Sequence, residues 1–209
     1  MSMIYGYTKD REKAWEIIEK LGLCSEQESK VQFTMADRKI NAVMSTSAGR
    51  LFDAVSAILG IRRQSSFEGE ASTALQFAAE AFEQENESVK NETWSKVQPV
   101  TSGSEGRYIL NTEALVQLIV ETKLQGADSG ALAYLFHQTL AEQIVVACIE
   151  ARKSSGRNKT ALSGGVFQNR LLLRLTEERS GQEGFEVLRH HMIPPNDGGI
   201  AIGQAAYGM

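Results

Sequence analysis

Apolar residues recur at helical spacing through most of this chain, and strand-like runs are few and short. After Met1–Thr8, which shows no clear pattern, Arg11–Leu21 places Trp15, Ile17, Ile18 and Leu21 on one side, and Gly22 stops it. A second helical stretch is expected over Ala36–Val43, with the hydroxyls of Ser45, Thr46 and Ser47 suited to cap the next helix. In Ala48–Gly60, Leu51, Phe52, Val55, Ile58 and Leu59 make one stripe. Ser66–Glu70 leads into a further helix with Ala71, Ala74, Leu75, Ala78 and Phe82 at core spacing. Glu83–Gly106 turns polar, anchored by Trp94, before a short strand at Arg107–Leu110 and a helix from Asn111-Thr112-Glu113 to Leu124. Asp128-Ser129 should cap the longest helix, Gly130–Arg152, whose inward residues include Leu132, Leu135, Phe136, Leu140, Ile144, Ala147 and Cys148.

The most informative stretch is Ala161–Asn169, where a short apolar run meets Gly164-Gly165 and then a leucine-rich helix. Strand, tight turn and helix succeed one another. Adjacent glycines permit positive φ and let a ligand approach without a Cβ in the way, and the helix beyond them offers unpaired N–H groups and its positive dipole end. Asn169 is expected on the first turn of that helix, close enough to offer its amide to the same ligand. The same pattern equally serves as a plain connection. Phe185–Leu188 reads as a second strand, succeeded by Pro194-Pro195, which forbid regular structure, and by Asp197 at the start of a last helix, Gly198–Tyr207. Gly199, Gly203 and Ala206 would let that helix pack closely.

Composition narrows the class. The chain has 209 residues, 42% hydrophobic and 23% charged, enough for one or two globular domains with a real core. A net charge of −4 without a basic cluster argues against nucleic acid as the main partner. No run of about 18 apolar residues and no basic-then-apolar leader is evident, so no membrane partner is expected and the cytoplasm is the default location. Cys24 and Cys148 lack metal spacing and read as buried thiols.

A few carboxylate, glycine and histidine positions carry candidate chemistry. Asp53 points roughly opposite the apolar stripe of its helix, with Gly49 one turn earlier on the same side: either a carboxylate beside bare backbone facing a cleft, or a solvated aspartate. Glu68 caps the helix after it or lines a cleft. Asp197 is an N-cap or, at a rigid turn, a metal ligand. His137, on the flank of its helix's stripe, reads as structural, and His190 and His191 as loop or strand-end residues without the spacing of a paired metal site.

Taken together, STSAGRLFDAVSAILGI, SFEGEA, ALSGGVFQNRLLL and PPNDGGIAIGQAAYG resemble the C-terminal part of the hydrogenase maturation carbamoyltransferase (HypF) family, over residues 45 to 209. They are more distantly similar to the threonylcarbamoyl-transferase family that modifies tRNA. The resemblance implies an α/β lobe of the actin-like, sugar kinase-like and Hsp70-like fold, with helices packed on a short mixed sheet. It divides the chain into a helical lead-in, residues 1–44, and a nucleotide-binding lobe, residues 45–209. Gly49 and Asp53 would contact the ribose, Gly164 and Gly165 the adenosine and phosphates, Asn169 the sugar or base edge, and Asp197 a divalent metal near the phosphates. The family forms a carbamoyl-adenylate from carbamoyl phosphate and ATP. It passes the carbamoyl group to the C-terminal cysteine of a partner protein, as precursor of the cyanide of a nickel-iron hydrogenase.

The family's His-x-x-x-His metal element is not found: His137, His190 and His191 cannot supply that spacing. Its first lobe, acylphosphatase-like domain, zinc-binding cysteine pairs and adenylate-forming domain have no counterpart in these residues either. A lobe of a longer enzyme is therefore expected, with an incomplete metal site, weak nucleotide binding and little transferase activity alone. Two alternatives stand beside it. One is a sugar kinase-like phosphotransferase lobe, which should offer a general base; the other is a non-catalytic interaction lobe.

Overall fold

Amphipathic helices dominate the architecture, because most of the apolar residues recur every three to four positions and can be buried only as helix faces. The computed structural model describes residues 1–86 and 108–208, and residues 100–102 through their backbone. Trp94 and Arg107 lie outside the described residues. The chain divides into two compact units, Met1–Gln98 with Asn111–Phe136, and Pro99–Leu110 with His137–Met209.

The first unit is helical: α1 (Ser2–Thr8), α2 (Arg11–Lys20), α3 (Glu26–Arg38), α4 (Ala48–Ile58), α5 (Glu70–Glu85), α6 (Thr112–Leu124) and the start of α7 (Ser129–Ser155). Local chemistry sets the boundaries. Asp10 accepts from the Glu12 and Lys13 N–H groups to open α2, and Gly22, at φ 60°, lets the chain leave it. Arg63 then donates to the Leu21 and Gly22 carbonyls, 2.7 Å each, satisfying acceptors that a helix end leaves over. Asn111 caps α6 and Asp128 accepts from Ala131 N at the start of α7, as the sequence suggests. The stripe of α4 is buried as expected, through Leu51, Phe52, Val55, Ile58 and Leu59.

Three expectations are corrected by the structure. Ser2–Thr8, in a stretch without a clear pattern, is a helix although it lacks a side-chain cap. The helix expected over Ala36–Val43 lies earlier, because Ser25 and Glu28 form a capping box that starts α3, and Lys39 at φ 53° ends it. Val43 and Met44 are consequently exposed. Ser47 precedes α4 without a side-chain cap; the Ser45 hydroxyl instead accepts from Ser47 N at 3.2 Å.

In the second unit β1 (Val100–Ser102) pairs antiparallel with β2 (Tyr108–Leu110), and β3 (Lys159–Leu162) pairs parallel with β4 (Glu186–Arg189). Between β3 and β4 run a short 3-10 turn, Gly165–Gln168, and α8 (Arg170–Gln182). This is a βαβ unit, the connection a parallel pair requires. Arg179 fastens α8 to α7 through two contacts with Glu142, Nε–Oε2 2.6 Å and Nη2–Oε1 3.2 Å. Arg152 lies over the Phe185 ring, 4.2 Å from its centroid, just before β4. The chain ends with a 3-10 turn, Asp197–Gly199, and α9 (Ile200–Tyr207). Contrary to expectation α9 is exposed throughout, and nothing approaches Gly203 within 4 Å of where a Cβ would stand.

Helix α7 buries Leu132, Leu135, Phe136 and Leu140 on its leucine face, while Ile144, Ala147 and Cys148 are half-buried. It is long and apolar enough to cross a membrane, but most of that stretch is buried inside the protein, as in the core helix of a globular domain. Both cysteines are free and half-buried, and burial pushes the Cys24 thiol above its ordinary pKa.

Candidate functional site

The parallel pair β3–β4 determines where the second unit can hold a ligand. Its register places Lys159 opposite Glu186 and Leu162 opposite Arg189, so both strands end together. Ligands of α/β units collect beyond the carboxyl ends of such strands. In this chain those ends carry Ser163, Gly164 and Gly165 after β3 and His190 after β4, and Ser163 Oγ lies 2.9 Å from His190 Nε2. His190 is thus a strand-end residue, as expected, with a partner that its sequence neighbourhood did not reveal.

Gly164 takes φ +96°, ψ 157°, a conformation that requires glycine, and no atom lies within 4 Å of the position its Cβ would occupy. Gly165 opens the 3-10 turn, so it and Val166 carry the first N–H groups, which have no acceptor inside the turn. A Cβ on Gly165 would meet only Asn196 Cβ, at 3.9 Å, which brings the loop before Asp197 beside the glycine pair. The arrangement is a bare backbone donor surface.

Asn169 does not lie on the first turn of the helix after the glycines. The 3-10 turn intervenes, and Asn169 is the N-cap of α8: its Oδ1 accepts from Leu172 N at 2.9 Å. Its Nδ2 lies 2.9 Å from Nε2 of His137, which is fully buried. His137 is therefore structural, yet bonded to a candidate site residue 32 positions away.

At Asp197 the N-cap expectation fails, because Asn196 accepts from Gly198 N at 3.1 Å and takes the capping role. The exposed Asp197 carboxylate has no hydrogen-bond or ion-pair partner among the described residues. Gly199 is obligatory in this loop, since a Cβ there would stand 2.7 Å from the Pro194 carbonyl oxygen. Among the described residues no group of three His, Cys, Asp or Glu could hold a metal ion.

In the first unit Gly49 is exposed at the start of α4, and Asp53 is half-buried, one turn further along and ion-paired with Arg50 (Nη1–Oδ2 3.2 Å). Glu68 is exposed and does not cap α5. Glu70 does the local fastening, accepting from Ser66 N at 2.5 Å and Ser66 Oγ at 3.0 Å and pairing with Arg62. The Ser66 N–H, foremost, holds the Glu70 carboxyl below the usual carboxylate range.

The carbamoyltransferase Kae1-like domain, second subdomain, matches residues 1–204 as a family. The chain belongs to this HypF-type family. The match begins further toward the N-terminus than the motifs that suggested it. Among relatives, a probable carbamoyltransferase HypF from Methanocaldococcus jannaschii is 28% identical over 92% of this chain. A carbamoyltransferase HypF from Rhodobacter capsulatus is 34% identical over 82%. The chain spans 24% of the first of these and 20% of the second. Full-length HypF solved in its phosphate- and nucleotide-bound form aligns with TM-score 0.80 and 30% identity, over 99% of this chain and 26% of that one. T. kodakarensis HypF aligns with TM-score 0.73 and 25% identity, over 98% and 26%. The fold expectation holds: this is a Kae1-like α/β lobe of the actin, sugar kinase and Hsp70 class, mostly helical with short strands.

Proposed function

We propose that this HypF-type lobe is the part of a carbamoyltransferase that holds adenine nucleotide during [NiFe]-hydrogenase maturation. In the complete enzyme a carbamoyl-adenylate made from carbamoyl phosphate and ATP is held against this lobe. The thiolate of a partner protein's C-terminal cysteine attacks the carbamoyl carbon, the carbon–oxygen bond to phosphate breaks, and AMP leaves. What the lobe contributes is positioning: backbone N–H groups and a rigid turn hold the leaving nucleotide so that the thiolate can add to the face of the carbamoyl carbonyl before AMP departs.

The observation that carries this reading is the turn at Gly164-Gly165, open at Gly164 and lined by the first N–H groups of a 3-10 turn, which have no acceptor inside that turn, at the carboxyl end of a parallel strand pair. Gly49 and Asp53 are assigned to the ribose, Gly164 and Gly165 to the adenosine and phosphates, and Asn169 to the sugar or base edge. A relative of the same fold was solved in a phosphate- and nucleotide-bound form, which supports a nucleotide as the class of ligand. Asp197 would supply one ligand to a divalent ion whose remaining ligands come from the rest of the enzyme. The described residues do not complete that site. The remainder of the enzyme and the thiol-bearing acceptor are accordingly the lobe's partners.

Gly165→Ala in the complete enzyme tests the reading. The new methyl fits the folded chain in ordinary contact with Asn196, yet it projects where phosphate would approach. Folding should be unaffected, while ATP affinity and carbamoyl transfer to the acceptor cysteine fall together. Unchanged affinity and rate would overturn the assignment.

A further inference from the structure

We infer that His137 is a positioning residue: a buried, neutral imidazole, protonated on Nδ1, that orients the Asn169 side-chain amide. The importance of Asn169 for a ligand rests on the nucleotide reading above; the orientation itself does not.

The tautomer is fixed by one unambiguous donor. The Leu172 backbone N–H, 2.9 Å from the Asn169 side chain, can only donate, so the amide oxygen must face it and the amide nitrogen must face His137. Asn169 Nδ2 carries only hydrogens toward the ring, and at 2.9 Å the ring nitrogen it meets must therefore be the acceptor. His137 Nε2 is then unprotonated and the proton sits on Nδ1. The imidazolium is excluded by the same contact, since it would set N–H against N–H.

The arrangement leaves Asn169 one free hydrogen. Nδ2 has two; His137 takes one, and among the described residues the other has no partner on this half-exposed side chain. Without His137 the cap bond to Leu172 alone would leave the amide plane free to swing about Oδ1. With it the plane is pinned at both ends, in the segment that directly succeeds the glycine turn. A histidine on helix α7 thereby sets the direction of the one remaining amide N–H on the cap of α8.

The test is nitrogen-resolved NMR of the labelled 209-residue chain, at a pH about 1.5 units above the ordinary histidine value of about 6.5, with ATP as the titrant. His137 should show a protonated Nδ1 and a bare Nε2; the opposite tautomer or an imidazolium overturns the proposal. In His137→Leu the Asn169 side-chain amide signals should move toward solvent values and ATP affinity should fall about three- to tenfold, one oriented hydrogen bond. His137→Gln, whose amide oxygen reaches the position of Nε2, should restore both toward the native values. If Gln is as disruptive as Leu, His137 is only a space-filler and the proposal fails. Should the Leu variant not fold, the native tautomer and the Gln variant still decide. If the Asn169 amide is released in His137→Leu while ATP affinity stays unchanged, the orienting role stands and the nucleotide assignment of Asn169 fails.

Discussion

Phe52 on α4 and Phe136 on α7 meet edge to face, their ring centroids 4.9 Å apart and their planes at 84°. Both rings are almost wholly buried, so the contact adds the favourable quadrupole geometry of an aromatic pair to the burial itself. Phe52→Ala should therefore destabilise the chain by about 3–5 kcal/mol in urea denaturation. A loss below about 1 kcal/mol would mean that this face of α4 is not part of the core.

One residue further along the same helix the expectation reverses. Among the described residues half-buried Asp53 makes a single i,i+3 pair, with exposed Arg50, and solvent-accessible pairs of this kind contribute about 0–1 kcal/mol. Asp53→Ala should leave Tm nearly unchanged while weakening adenine nucleotide binding in the complete enzyme. A large fall in Tm with intact binding would make Asp53 structural.

Glu70 supplies the pH dependence. Its folded-state pKa lies below the unfolded value of about 4.3, mainly through the Ser66 N–H. A depressed carboxyl contributes stability that is fully present above the unfolded pKa and is lost as pH falls through the folded one. Asp37, held low by Tyr5 and Arg11, and Glu28, held low by Ser25, act in the same direction. Glu70 must therefore be isolated by difference. Between about pH 6 and about pH 3 the urea midpoint of Glu70→Gln should fall less than that of the unchanged chain; parallel curves would exclude the contribution.

Where stripe and cap agree, the sequence is readable. Helix α4 buries the stripe its periodicity demands, the leucine face of α7 is buried through Leu140, and Asn111 and Asp128 are working caps of α6 and α7. Periodicity alone misplaces helix α3, although the signal that starts it, Ser25-x-x-Glu28, is local and legible. Asp197 and Asn196 are equally good caps by residue type, and it is Asn196, in an extended conformation, that accepts from Gly198 N. The glycine turn is legible because its chemistry is contiguous. Its supports are not: His137 reaches Asn169 across 32 positions and His190 reaches Ser163 across 27. The second pair can be found by aligning the two strands in parallel and counting one residue past their ends; the first needs the packing of α7 against the start of α8.

Because Asn196 caps the turn, the Asp197 carboxylate has no local structural task, and Asp197→Asn should shift stability by no more than a surface substitution does, about 0.5 kcal/mol. Its effect should appear only where other ligands join it, because a single exposed carboxylate holds a divalent ion weakly, and the ion is wanted for the phosphate charge it neutralises. In the complete enzyme Asp197→Asn should reduce both bound metal and carbamoyl transfer, whereas the 209-residue chain should bind no stoichiometric metal with either residue. Metal content and transfer rate that are both indifferent to the substitution would remove Asp197 from the site, and with it the idea that this lobe contributes to a shared ion.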